Sequence, residues 1–207
     1  MTRNTKRFIF LIAIVVMVPG VISAWWFLPG RRTDVRLSST SREAVPRSAL
    51  PVDPIHLQAD PLWASEKIGG SGEAMRRVGC TLCCLSMALT HHGIPVDPMD
   101  LNEKLKEANG FTSRGWVIWE AVSRVSDGKV STVIPEIPTH EDIEGALEEG
   151  NPVLVKVLLK SGIHHWVLLV GRDQQEYLMK DPLGDGTSLG RLSSIGSDIL
   201  AVRIAMK

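Results

Sequence analysis

The 207 residues contain no internal repeat, no low-complexity tract and no glycine-rich loop of the phosphate-binding type. Those absences exclude a solenoid, a polar disordered chain and a nucleotide-hydrolysing module. Cysteine is scarce and bunched: all three, Cys80, Cys83 and Cys84, fall within five residues. Such spacing offers no disulfide framework, and neighbouring cysteines on one helix do not bond comfortably to each other. A basic excess is missing as well. Formal net charge is zero, and residues 51–207 hold fifteen Lys/Arg against twenty-one Asp/Glu. A nucleic-acid backbone needs a basic face, so no nucleic-acid partner is expected.

Charge is absent altogether from Phe8 to Pro29, just after Arg3, Lys6 and Arg7. A helix of that length spans the hydrocarbon core of a bilayer, about 30 Å thick. Trp25 and Trp26 near its far end suit the interface, and Arg31-Arg32 stop it. The pattern predicts a cytoplasmic tail over 1–7, a signal-anchor over 8–29 and a linker rich in Arg, Ser, Thr and Pro over 30–56. One folded domain over 57–207 follows, on the extracytoplasmic side because large domains translocate largely regardless of charge. The competing reading is a signal cleaved after Ile22-Ser23-Ala24, which would release the domain as a secreted protein.

Within the domain, periodicity changes midway. A helix is predicted from Gly79 to Gly93, apolar on most sides and therefore buried. Asp97 as N-cap and Pro98 at the first helical position open the next helix, which Asn109-Gly110 ends. A shorter helix is read over Trp116–Ser123. Val130–Ile134 reads as a strand, and Thr139 caps a helix with Glu141 and Asp142 in its first turn. Pro152–Leu159, His165–Gly171 and Glu176–Lys180 then read as strands, the last two joined as a hairpin around Arg172–Gln175, with a final strand in Asp198–Ala205. Helices first and an antiparallel meander second define an α+β class.

The cysteines divide by position. A zinc site would need several ligands wrapped by a single helix, and a redox pair would need a preceding strand in a βαβ unit, which is not found. Neither a metal nor another cofactor is expected. Cys83 and Cys84 read as small core hydrophobes. Cys80 instead falls in the first turn of a helix, where unpaired N–H groups and the macrodipole favour a thiolate. A base for it is found in the strand region. If the hairpin centres near residue 173, His165 and Asp181 become cross-strand neighbours, close enough for the carboxylate to orient the imidazole. A slip of one residue would separate them, and would favour His164 as the rival. Nucleophile, base and orienter would then be Cys80, His165 and Asp181. His91, His92 and His140 read as surface or helix-end residues. Trp116 and Trp119 read as core, or else as groove walls.

The ordered set Gly79-Cys80, Met87, Gly93, Val96-Asp97-Pro98, Leu101–Leu105, Gly150–Val155, His165–Gly171 and Tyr177–Pro182 resembles the papain-like cysteine peptidases of the bacteriocin-processing, peptidase C-39-like type, in their stand-alone form. The resemblance covers roughly residues 60–185. It implies a central helix carrying the nucleophile Cys80, packed on an antiparallel sheet carrying the base His165 and the acid Asp181. It implies hydrolysis of a peptide or protein substrate; a separate transporter partner stays open, and nothing in this chain indicates one. Such peptidases place a glutamine a few residues before the cysteine as an oxyanion donor. Here Glu73–Gly79 has neither Gln nor Asn, and Gln58 stands twenty-two residues away, too far upstream to be assigned that role. Two alternatives therefore stand beside the peptidase: an idle papain-like module that binds peptides, and an acyl or amide transferase on the same scaffold.

Overall fold

A computed structural model of the chain describes residues 36–207. The expected tail and membrane span lie outside the described residues. Among the described residues no helix is long and apolar enough to cross a membrane.

The elements run β1 (Thr40–Ala49), α1 (Met75–Val78), α2 (Cys80–His91), α3 (Pro98–Glu107), α4 (Ala121–Val125), β2 (Ser131–Val133), α5 (His140–Glu148), β3 (Val153–Leu158), β4 (His164–Lys180), β5 (Gly190–Arg191) and β6 (Ala201–Met206). The six strands form a single sheet in the order β1-β4-β3-β6-β2, with β5 attached to β4. Every pairing is antiparallel. The mixed class of helices and antiparallel sheet is thus as expected, although the first strand precedes the helices.

Alternation along the strands divides the core in two. Leu154, Leu168, Val170 and Ala205 pack against α2, whose Leu82, Cys83, Cys84, Leu85, Met87, Ala88 and Leu89 are all buried. Val153, Val155, Val157, Val167, Leu169, Val202 and Ile204 face the opposite way, onto Ile143 and Ala146 of α5. A helix buried on nearly every side explains why α2 shows no single apolar stripe. Local chemistry sets α3 and α5. Asp97 accepts from the Asp100 amide at 2.8 Å, and Thr139 with Asp142 forms a reciprocal capping box.

Three sequence expectations need correction. Residues 40–49, placed in a linker, form edge strand β1. Only Ser41 of that strand is buried, so no apolar alternation marks it, and Pro46 is tolerable because the strand lies at an edge. Trp116–Ser123 is not a helix; α4 starts at Ala121, and Val117 bridges to Phe111 instead. The two strands read as a hairpin form one continuous strand, β4, of 17 residues. That strand nonetheless doubles back. Its length laid straight would hold the ends about 50 Å apart, yet His165 lies 2.7 Å from Asp181. Gln174, at φ 56, supplies the left-handed residue such a reversal needs. β1 runs across this bend, pairing Val45 with Gln174 and Ala49 with Gly171. Gly171 is required there because a Cβ would run into the Ser48 carbonyl.

A buried polar network fastens β1 to the rest. Arg172, 7% exposed, pairs with Glu144 at 3.1 Å and Glu148 at 2.7 Å. Ser41 donates to Glu144 at 2.7 Å, and the Tyr177 hydroxyl donates to the same carboxylate at 3.2 Å. Arg172→Met should cost about 3 kcal/mol, since it strands the Glu144 carboxylate in a largely dry place. Urea unfolding should show a lower midpoint with an unchanged slope.

Candidate active site

The helical ladder breaks at Gly79, between α1 and α2. A side chain there would meet the Met75 carbonyl at 2.5 Å, so only glycine allows the two helices to abut. In an unbroken helix the Cys80 amide would bond to the Arg76 carbonyl. That carbonyl instead accepts from Nε2 of Gln58 at 2.8 Å. Cys80 therefore opens α2 with its amide outside the ladder, and its side chain lines a cleft of about 1020 Å³.

His165 enters the same cleft from the start of β4, where β3 sets Val157 opposite it. Its side chain is 2% exposed, and Nε2 meets Asp181 Oδ1 at 2.7 Å. The Leu183 amide also donates to that oxygen, at 2.8 Å, which fixes the carboxylate. With Nε2 taken, Nδ1 is the ring nitrogen left for Cys80. His164, the rival in sequence, is exposed and pairs opposite Leu158. The one-residue register question is thereby resolved toward His165.

Electrostatics separate the three cysteines. Burial alone would raise the Cys80 thiol. The His165 hydrogen bond and charge, the Trp166 backbone and the Thr81 hydroxyl outweigh it, and the net shift is downward. At Cys83 and Cys84 no histidine offsets burial, which pushes both well above the ordinary thiol range. His165 moves the other way. Burial would lower it, but the Asp181 carboxylate and Cys80 raise it to about 9. Both shifts favour thiolate and imidazolium, an arrangement fit for nucleophilic attack.

Gln58 is the residue that sequence reasoning set aside. It is buried and lines the cleft beside Cys80 and Thr81. Its backbone amide donates to the Pro182 carbonyl at 3.0 Å. Lys180, on the other side of Asp181, donates to the Pro54 carbonyl at 3.1 Å. The segment through residues 54–58 is thus strapped to the end of β4 on both sides of Asp181. One N–H of the Gln58 amide binds Arg76, which leaves the second available to a ligand. Its Oε1 is buried without a partner. Nothing in the sequence near Cys80 signals this residue, because tertiary contacts bring it there.

Other expectations fare unevenly. Trp116 is 64% exposed and Trp119 half-buried; both are cleft walls. His92 and His140 stand at helix ends, as expected, but are buried, against the Ala205 carbonyl and the Tyr177 hydroxyl respectively. His91, half-buried at the end of α2, bonds the Gly150 carbonyl at 2.8 Å. Among the described residues no cluster of His, Cys, Asp or Glu is arranged to hold a metal ion.

Comparison with known proteins adds three findings. The family model described as Peptidase_C39 like family matches residues 63–192, a stretch that includes Cys80, His165 and Asp181 but not Gln58. No curated protein matches the chain. Among solved structures, the crystal structure of a candidate C39-like peptidase from Bacillus anthracis superposes with a TM-score of 0.51 at 16% identity, covering 79% of this chain and 98% of that one.

Proposed function

Because the chain belongs to the C39-like peptidase family, we propose that it is a papain-like cysteine peptidase acting through Cys80, His165 and Asp181. The observation that supports this most is the His165 imidazole held between the Asp181 carboxylate and the Cys80 thiol. In this reading the Cys80 thiolate attacks a peptide carbonyl carbon. The carbonyl π electrons move to oxygen, and the oxyanion is met by the Cys80 amide and the free N–H of Gln58. The His165 imidazolium protonates the leaving amine as the C–N bond breaks. The neutral imidazole then takes a proton from water, whose oxygen displaces the thiolate and releases the acid. Asp181 holds the ring in the tautomer both steps need. The uncharged run Phe8–Pro29 supports a membrane tether with the domain outside the cytoplasm. An idle peptide-binding module draws its support from the missing upstream amide; Gln58 in the cleft supports the peptidase reading instead.

Selective alkylation tests this reading. At pH 7, iodoacetamide should label Cys80 at least about a hundredfold faster than Cys83 or Cys84, because only the thiolate reacts. Mass spectrometry of the digested protein reads the three rates, and equal labelling would sink the proposal.

A further inference from the structure

The cleft carries a charge bias that the proposed reaction does not use. Its lining has Arg77, Arg114 and Lys156 against the single carboxylate of Glu73, in a domain whose acids outnumber its bases. Arg77 is ion-paired with Glu73 at 3.8 Å, and Arg114 lies over the Trp116 ring at 5.3 Å. Lys156 is the anomaly. It interrupts the otherwise apolar run of β3, in the middle of the sheet. Trp166 stands opposite it on β4 and Ala201 on β6. Trp166 in turn packs on Trp119 at 5.4 Å, and Arg203 lies over both rings.

Among the described residues Lys156 has no ion pair and its ammonium makes no hydrogen bond. Lys156 is thus a half-buried cation in the cleft wall with no anion of its own, and a ligand carboxylate there would gain a charge-assisted hydrogen bond. Nothing in the packing of β3 calls for a cation at that point, since an apolar residue would cover Trp166 as well.

We infer that the cleft takes peptides bearing a carboxylate, which Lys156 receives close to the scissile bond. The inference rests on the peptidase reading for the position of that bond. Lys156 is cross-strand to the residue after His165, so the carboxylate belongs within about three residues of extended peptide from the reacting carbonyl. An Asp or Glu side chain and a free C-terminus share this chemistry, and the test separates them.

Internally quenched peptides, identical except for Glu or Gln at each of three positions on either side of the cleavage point, are offered to the full chain. A second pair carries a C-terminal acid or amide. One Glu peptide should exceed its Gln twin about tenfold in kcat/KM, as a charged hydrogen bond of this kind provides. The gap should narrow at high salt and close in Lys156→Met, which keeps an unbranched chain over Trp166. A gain that follows the C-terminal acid alone identifies the terminus as the source. Equal cleavage of all twins, or a gap that survives Lys156→Met, overturns the subsite while leaving the peptidase reading intact. If no peptide is cut, the same peptides are titrated onto Cys80→Ala protein and followed by tryptophan fluorescence. Binding that depends on the carboxylate and on Lys156 then upholds the subsite although the hydrolase reading has failed. Binding indifferent to charge overturns it.

Discussion

Cys80→Ala should abolish peptide cleavage, and His165→Ala should lower it by about a thousandfold or more, while Cys83→Ala and Cys84→Ala should leave the chemistry in place. The first outcome follows from the loss of the only thiol held in its reactive form. The second combines two losses. Without His165, the two largest influences opposing burial at Cys80 are gone, so its pKa should rise and less thiolate should exist at neutral pH. The leaving amine also loses its proton donor, and general acid–base catalysis alone is worth about 10² to 10⁴. A pH profile shows how the pair works. Activity rises as the Cys80 thiol ionises, with its midpoint below the ordinary thiol value. It falls again as the imidazolium deprotonates near pH 9. Both limbs describe the coupled pair, not either residue alone. Asp181→Asn should pull the alkaline limb down, since the Asp181 hydrogen bond is the largest influence holding the imidazolium up. Initial rates with one quenched peptide across pH 5–10 measure all of this, and a profile unchanged by Asp181→Asn would refute the assigned role.

How far the residues themselves announce this site depends on how local each cause is. The caps of α3 and α5 are legible because Asp97 and Thr139 bond amides three residues away. β3 and the first arm of β4 are legible because a strand buried on both faces reads as an apolar run. The meeting of His165 with Asp181 is legible as arithmetic about a reversal, even though the reversal occurs within one long strand. β1 is not legible: only Ser41 of it is buried, and it is held by backbone pairing and by polar contacts such as Ser41 with Glu144 and Arg47 with Asp173, so no apolar alternation marks it. Trp116 and Trp119 misread as a helix because aromatic spacing fits both a core stripe and a cleft wall. The buried His92 and His140 bond partners far along the chain, at Ala205 and Tyr177, and no spacing rule reports them.

Gln58 is the sharpest case, and its removal carries the second large effect. Gln58→Ala should lower kcat about 10² to 10³-fold with little change in KM. An oxyanion donor contributes that much, and it acts on charge that exists only in the transition state. In the proposed reading the chain would supply this amide in an unusual way. In place of a glutamine just ahead of the nucleophile, a segment from before α1 is laid across the end of β4 and tied at Pro54 and at Gln58 itself. The tie brackets Asp181, so the residue that orients the base and the residue that would meet the oxyanion are fixed by the same three positions, Lys180, Asp181 and Pro182. Loosening that strap should therefore mimic the loss of the amide. Lys180→Met removes the bond to Pro54 and should reduce kcat in the same sense as Gln58→Ala. The double variant should fall little below Gln58→Ala alone, because Lys180 acts through the glutamine. Additive losses would show that the lysine acts elsewhere. An unchanged kcat in Gln58→Ala would return the site to a single backbone donor, the Cys80 amide.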